Sequence, residues 1–100
     1  MSNEVYTIEQ IKNTLTPIFN QYGIKKAIVF GSYSKGNANE NSDIDLLVDS
    51  NLKGLSFVGL LEDVQETIKK DVDMFDISHI ETGSTIDKEI ANTGVLIYER

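Results

Sequence analysis

GSYSKGNANENSDIDLLVDS, residues 31–50, decides how this chain is read. Its second half carries Asp43 and Asp45 at alternate positions of what otherwise reads as a buried strand, Ile44 to Val48. Aspartate is depleted in strands, and like charges on one face of a sheet repel. Side chains two apart in a strand project to the same side. The spacing therefore puts both carboxylates on one face, while Ile44 and Leu46 turn to the core. A pair of hard oxygen donors with no basic residue between them suits Mg²⁺. The first half supplies the complement. Gly31 ends an apolar run, Ala27 to Phe30, and lets a backbone turn approach an anion without a side chain in the way. Ser32 adds a hydroxyl beside it, and Lys35 reads either as a phosphate contact or as a solvated loop charge.

Other loop chemistries fail on this stretch. GSYSKG has the outer glycines of a P-loop, but Asn37-Ala38 follows where Lys-Ser/Thr is required. The chain has no G-x-G-x-x-G, which removes the dinucleotide fingerprint. An EF-hand beginning at Asp43 would place Leu47 and Val48 where a ligand and a glycine belong. A two-metal site needs a further carboxylate, and DVDMFDIS offers Asp71, Asp73 and Asp76. Asp73, between Val72 and Met74, is the best candidate. Asp71 falls at a helix–strand junction and reads as solvated. Asp76 falls on the strand face opposite Asp73.

Outward from this stretch, the elements alternate. Thr7 and Gln10 form a capping box opening a helix with Ile8, Ile11, Leu15, Ile18, Phe19 and Tyr22 at helical spacing. Pro17 is expected to bend or restart that helix and Gly23 to close it. Ser32 is expected to cap a short turn ending near Gly36, with loop from Asn37 to Ser42. A second helix is expected from Ser56, with Phe57, Leu60, Leu61, Val64 and Ile68 inward and Gly59 weakening it. Val72 to Ile77 reads as a third strand. Ser84-x-x-Asp87 caps a short helix carrying Ile86 and Ile90 and ended by Gly94. Val95 to Tyr98 reads as the last strand. The pattern predicts an α/β domain over residues 1–100, with a small mixed sheet of three or four strands and flanking helices. Tyr33 reads as a core or rim residue, and His79 as a polar loop residue.

Composition narrows the partners. Sixteen acidic residues against nine basic give a net charge of −7, which disfavours a long phosphate backbone as ligand. The absence of cysteine excludes disulfides and thiolate metal sites and fits a reducing cytosol. MSNEVYTIEQ lacks a signal-peptide layout, and no apolar run is long enough to cross a bilayer, so a soluble cytoplasmic protein is expected.

FGSYSKGNANENSDIDLLV closely resembles the G-S-x10-D-x-D signature of minimal nucleotidyltransferases in the DNA polymerase β superfamily. VDMFDI resembles the strand that carries their third carboxylate, and PIFNQYGIKKAIVFGS and VLIYER are also similar. Lys35 stands where many relatives have arginine, which keeps the charge but loses the bidentate fork. The resemblance implies that Gly31 and Ser32 hold the β- and γ-phosphates of ATP. It further implies that Asp43 and Asp45 bind two Mg²⁺ ions, and that Asp73 binds one of them and orients or deprotonates an acceptor hydroxyl. Small members of this family often act as antitoxins that silence a HEPN-domain ribonuclease toxin by transferring AMP to a tyrosine. The implied partner is such a toxin, in a hetero-oligomer, with a homodimer as the other way to complete an acceptor surface. Two rival roles are a binding module that occludes its toxin without catalysis and a transferase for small molecules such as aminoglycosides.

Overall fold

A computed structural model describes residues 5–100. The first four residues of the opening stretch and of the expected domain lie outside it. The chain runs α1 (Ile8–Tyr22), β1 (Lys26–Phe30), α2 (Ser32–Lys35), β2 (Ile44–Asp49), α3 (Leu55–Ile68), β3 (Val72–Asp76), a 3₁₀ turn (Ile77–His79), α4 (Thr85–Thr93) and β4 (Val95–Glu99). The sheet order is β3-β2-β1-β4. β1 is antiparallel to β2 and β4, whereas β2 and β3 are parallel. A parallel pair needs a crossover, and α3 provides it. The sheet is the small mixed one that the alternating pattern predicts.

One face of the sheet is fully covered. Ala27, Val29, Ile44, Leu46 and Val48 meet Ile11, Leu15 and Phe19 of α1 and Leu60, Val64 and Ile68 of α3, all buried. The Tyr22 hydroxyl donates to Asp63, binding the two helices together. The other face carries Ile28 and Phe30 of β1, Asp45 and Leu47 of β2, and Asp73 and Phe75 of β3, placed side by side by the strand register. There α4 packs against β1, with Ile28 closing on Gly94. This second face is only partly covered, and it holds the acidic residues.

The elements fall within a residue of where the sequence places them, and four details differ. The capping box at Thr7 forms in both directions, at 3.0 and 2.8 Å. α1, however, runs through Pro17 without restarting. Pro17 is exposed on the solvent side of the helix, where a missing N–H and a slight curvature are tolerated. Ser32 is not a cap but the first residue of α2; the cap is Gly31, at φ 78° and ψ −146°, which turns the chain with no side-chain bond. β3 stops at Asp76 rather than Ile77, because Asp76 accepts from the Ser78 amide and folds the chain into the 3₁₀ turn. α3 begins at Leu55, one residue before Ser56, after Gly54 at positive φ.

Candidate active site

Register assembles the site. Phe30, the last residue of β1, lies opposite Asp45, and Asp45 lies opposite Asp73. Partners across a ladder share a face, and neighbouring strands are about 4.8 Å apart. Asp45 and Asp73 are therefore immediate neighbours on the open face, whereas Asp43 lies just before β2, outside the strand, where its charge still reaches Asp45. Asp43 and Asp73 are exposed, and Asp45 is half-buried. Gly31 follows Phe30 and comes so close to this row that a Cβ there would collide with Asp45 Oδ2. Its positive φ also belongs to glycine.

The turn is held from both sides. The Gly31 carbonyl accepts from the Lys35 amide at 3.1 Å and from the Ser34 hydroxyl at 2.9 Å. The Gly31 amide donates to Thr93 Oγ1 at 3.0 Å, and that hydroxyl donates to the Glu89 carbonyl at 2.8 Å. Gly31 thus contributes its missing side chain rather than its N–H. Ser32 is half-buried at the start of α2, and Lys35 is exposed in its last turn, so the cation expected at the cradle faces solvent.

A fourth acidic side chain enters from α4. Glu89 Oε1 stands 3.3 Å from where a Cβ of Gly31 would be. Burial first, and then the negative charges of Asp73, Glu89 and Asp43 in that order, together push the Asp45 carboxyl up to about 6. Unbalanced carboxylates of this kind disfavour one another's ionised forms. Among the described residues, no three acidic or histidine side chains converge as a finished metal cluster. The donor set nevertheless fits a hard divalent cation: it is all oxygen, crowded with negative charge, and set against a turn that no side chain fills.

The remaining aspartates separate as the sequence suggests. Asp71 is exposed. Asp76 is on the other face and only 3% exposed. Its Oδ1 accepts from the Ser50 amide (3.0 Å) and hydroxyl (2.6 Å), and its Oδ2 from the Ser78 amide (3.0 Å) and hydroxyl (2.6 Å). Although burial acts to raise it, these bonds hold its carboxyl down at about 2. Tyr33 is buried in the core cluster. His79 is exposed with its ring edge-on to Phe57, centroids 5.6 Å apart. Sequence reading missed Glu89 and Thr93, which meet Gly31 across 62 positions in the case of Thr93. No local motif marks either of them.

A small α/β domain with a row of carboxylates across adjoining strands, set against a glycine turn, defines a nucleotidyltransferase-type fold. Residues 13–100 match the family model described as polymerase beta, nucleotidyltransferase, and the chain belongs to that family. It is 33% identical over 92 residues to protein adenylyltransferase MntA of Thermococcus cleftensis, covering 84% of this chain and 93% of that protein. It is 36% identical over 75 residues to a Methanocaldococcus jannaschii protein provisionally assigned as a protein adenylyltransferase, covering 73% of this chain and 81% of the other. Among solved structures, a toxin–antitoxin crystal structure with AMP-PNP superposes with a TM-score of 0.76 at 22% identity, covering 89% of this chain and 73% of that one. A complex of the tri-AMPylated Shewanella oneidensis HEPN toxin with its MNT antitoxin gives 0.71 at 18% identity, covering 94% and 74%. These two likenesses establish the fold. Among the described residues, no helix is long and apolar enough to cross a membrane.

Proposed function

We propose that this chain is a protein adenylyltransferase that transfers AMP from ATP to a tyrosine hydroxyl of a HEPN-domain toxin, and so serves as the antitoxin. The observation that carries the reading is the in-register placement of Asp45 beside Asp73 under the Gly31 turn. The two relatives named for protein adenylylation, one of which this chain matches over nearly that protein's full length, supply the reaction class. Toxin–antitoxin complexes of the same fold supply the kind of partner.

The chain's own groups divide the work. The first N–H groups of a helix have no acceptor within it, so those of Ser32 and Tyr33 serve phosphate oxygens together with the Ser32 hydroxyl. Gly31 leaves the room for that approach. Asp43, Asp45 and Asp73 would hold Mg²⁺, which when bound supplies Lewis-acid polarisation of the phosphoryl oxygens and neutralises developing charge. The acceptor oxygen attacks the α-phosphorus, the bond from that phosphorus to the β-phosphate bridging oxygen breaks, and pyrophosphate leaves. Asp73, exposed at the edge of the row, orients the hydroxyl and accepts its proton. Positioning and charge stabilisation supply most of the acceleration.

The test is label transfer. With Mg²⁺ and ATP labelled in the α-phosphate, the chain should label the HEPN-domain toxin proposed as its partner, and Asp45→Asn should not. Transfer that survives Asp43→Asn/Asp45→Asn would refute the catalytic assignment. Toxin neutralisation undiminished by that double change would point to occlusion, and label on aminoglycosides alone to a small-molecule enzyme.

A further inference from the structure

We infer that Lys70 is a positioning residue for Asp43, its buried side chain fixing the turn that leads into that carboxylate. The inference rests on the reading of Asp43 as a metal ligand given above. Asp43 lies just before β2, so no ladder partner fixes its backbone, and its side chain is exposed. What holds it comes from the junction between α3 and β3. Lys70 Nζ donates to the Glu40 carbonyl at 3.0 Å, and the Asp71 carbonyl accepts from the Ile44 amide at 3.1 Å. Two adjacent residues thus pin the chain on both sides of Asp43.

Two observations make the Lys70 bond more than an incidental contact. The first is burial. Lys70 is only 5% exposed, and it and Asp76 are the charged side chains buried among the described residues. Asp76 is satisfied by the amides and hydroxyls of Ser50 and Ser78. Lys70 instead meets a neutral backbone carbonyl. Burying a basic side chain against such an acceptor contributes little to stability, because an apolar chain of the same shape would pack there as well. The second observation is the construction of the turn. The Ser42 amide donates to the Asn39 carbonyl at 3.0 Å, the Asn39 amide to Ser42 Oγ at 3.0 Å, and the Asn41 amide to Asn39 Oδ1 at 2.8 Å. These bonds make residues 39–42 a unit, but none of them reaches the sheet or a helix. The Glu40–Asn41 peptide is held on its N–H side from within the turn and on its carbonyl side by Lys70. Lys70 therefore orients the whole unit, and Asp43 is the residue that follows it. Without that donor the turn swings about Ile44 and carries Asp43 away from Asp45 and Asp73.

The experiment compares wild type, Lys70→Met, Asp43→Asn and the double variant in the full chain. Methionine keeps the unbranched stem and removes the donors. In the protein without nucleotide or metal, the Glu40 carbonyl ¹³C shift reports the bond directly, and urea unfolding reports any loss of stability. Mn²⁺ binding, followed by electron paramagnetic resonance, reports the consequence, Mn²⁺ standing in for Mg²⁺ on oxygen donors. For Lys70→Met the expected result is an upfield Glu40 shift and an unfolding midpoint close to that of wild type. Mn²⁺ affinity should fall about tenfold, as it does when a group that orients a metal ligand is lost. In the Asp43→Asn background the same substitution should change Mn²⁺ affinity by less than about twofold, because the residue it acts through is already gone. Affinity unchanged by Lys70→Met, or an equal fall with and without Asp43, would overturn the inference. If Lys70→Met does not fold, Lys70→Leu, shorter and equally apolar, carries the same comparison. A wild type that binds no Mn²⁺, or whose Mn²⁺ affinity is undiminished by Asp43→Asn, would instead remove the metal reading on which the inference rests.

Discussion

Asp45 carries the conflict between stability and function at the level of single residues. Its folded-state carboxyl titrates at about 6, above the ordinary value of 3.8. A raised carboxyl binds its proton more tightly in the folded chain, so the associated stability is complete below about pH 4 and is lost as pH rises through about 6. In metal-free buffer at pH 8, Asp45→Asn should therefore raise the melting temperature, by the equivalent of roughly 1–2 kcal/mol after allowing for solvent screening. The gain should vanish near pH 4, and added Mg²⁺ should stabilise the wild type but not the variant. Asp76 behaves in the opposite sense. Its depressed carboxyl contributes stability above about pH 4 that disappears as pH falls toward about 2. Asp76→Asn exchanges one acceptor for a donor facing the Ser50 or Ser78 amide and should cost roughly 2–3 kcal/mol in a urea titration at pH 7. Gly31→Ala would force both a collision with Asp45 and a backbone conformation that alanine avoids. Label transfer should fall at least about a hundredfold.

Among the elements, what was legible depended on how local the cause is. The turn of Asp45 away from the core face of Ile44 and Leu46 follows from strand period alone, though Asp43 falls just outside the strand, and the capping box at Thr7 is written within four residues. The helix stripes, from Ile11 to Phe19 and from Leu60 to Ile68, are likewise visible as spacing. Ser32 was misplaced because its role depends on the conformation of Gly31, which a capping motif does not encode. Asp76 ends β3 through serines, and one of them, Ser50, lies 26 positions earlier. No local pattern announces that pairing. α3 ends on Lys69 in a left-handed conformation, at φ 58°. Glycine suits that position better, so Lys69→Gly should stabilise the domain by roughly 0.5–1 kcal/mol, measured by thermal or urea unfolding.

For the molecule as a whole, the fold separates a structural face from a chemical one. Helices α1 and α3 bury one side of the sheet, and the other side keeps its carboxylates within reach of solvent. Sequence order alone could not reveal that β2 and β3 run parallel while β1 opposes both neighbours, yet this register sets Asp73 beside Asp45. Nor could it reveal that α4 returns to β1 and brings Thr93 and Glu89 to the turn. The chain's charge of −7 also favours encounter with a partner whose site is basic. Association with the HEPN-domain toxin proposed as its partner should accordingly slow as salt is raised from about 50 to 500 mM, which stopped-flow mixing would detect. The most direct test of the central claim is a crystal structure of this chain with Mg²⁺ and a nonhydrolysable ATP analogue. The account predicts metal held by Asp43, Asp45 and Asp73, with the triphosphate against Ser32. Nucleotide bound elsewhere, with those carboxylates free of metal, would contradict it.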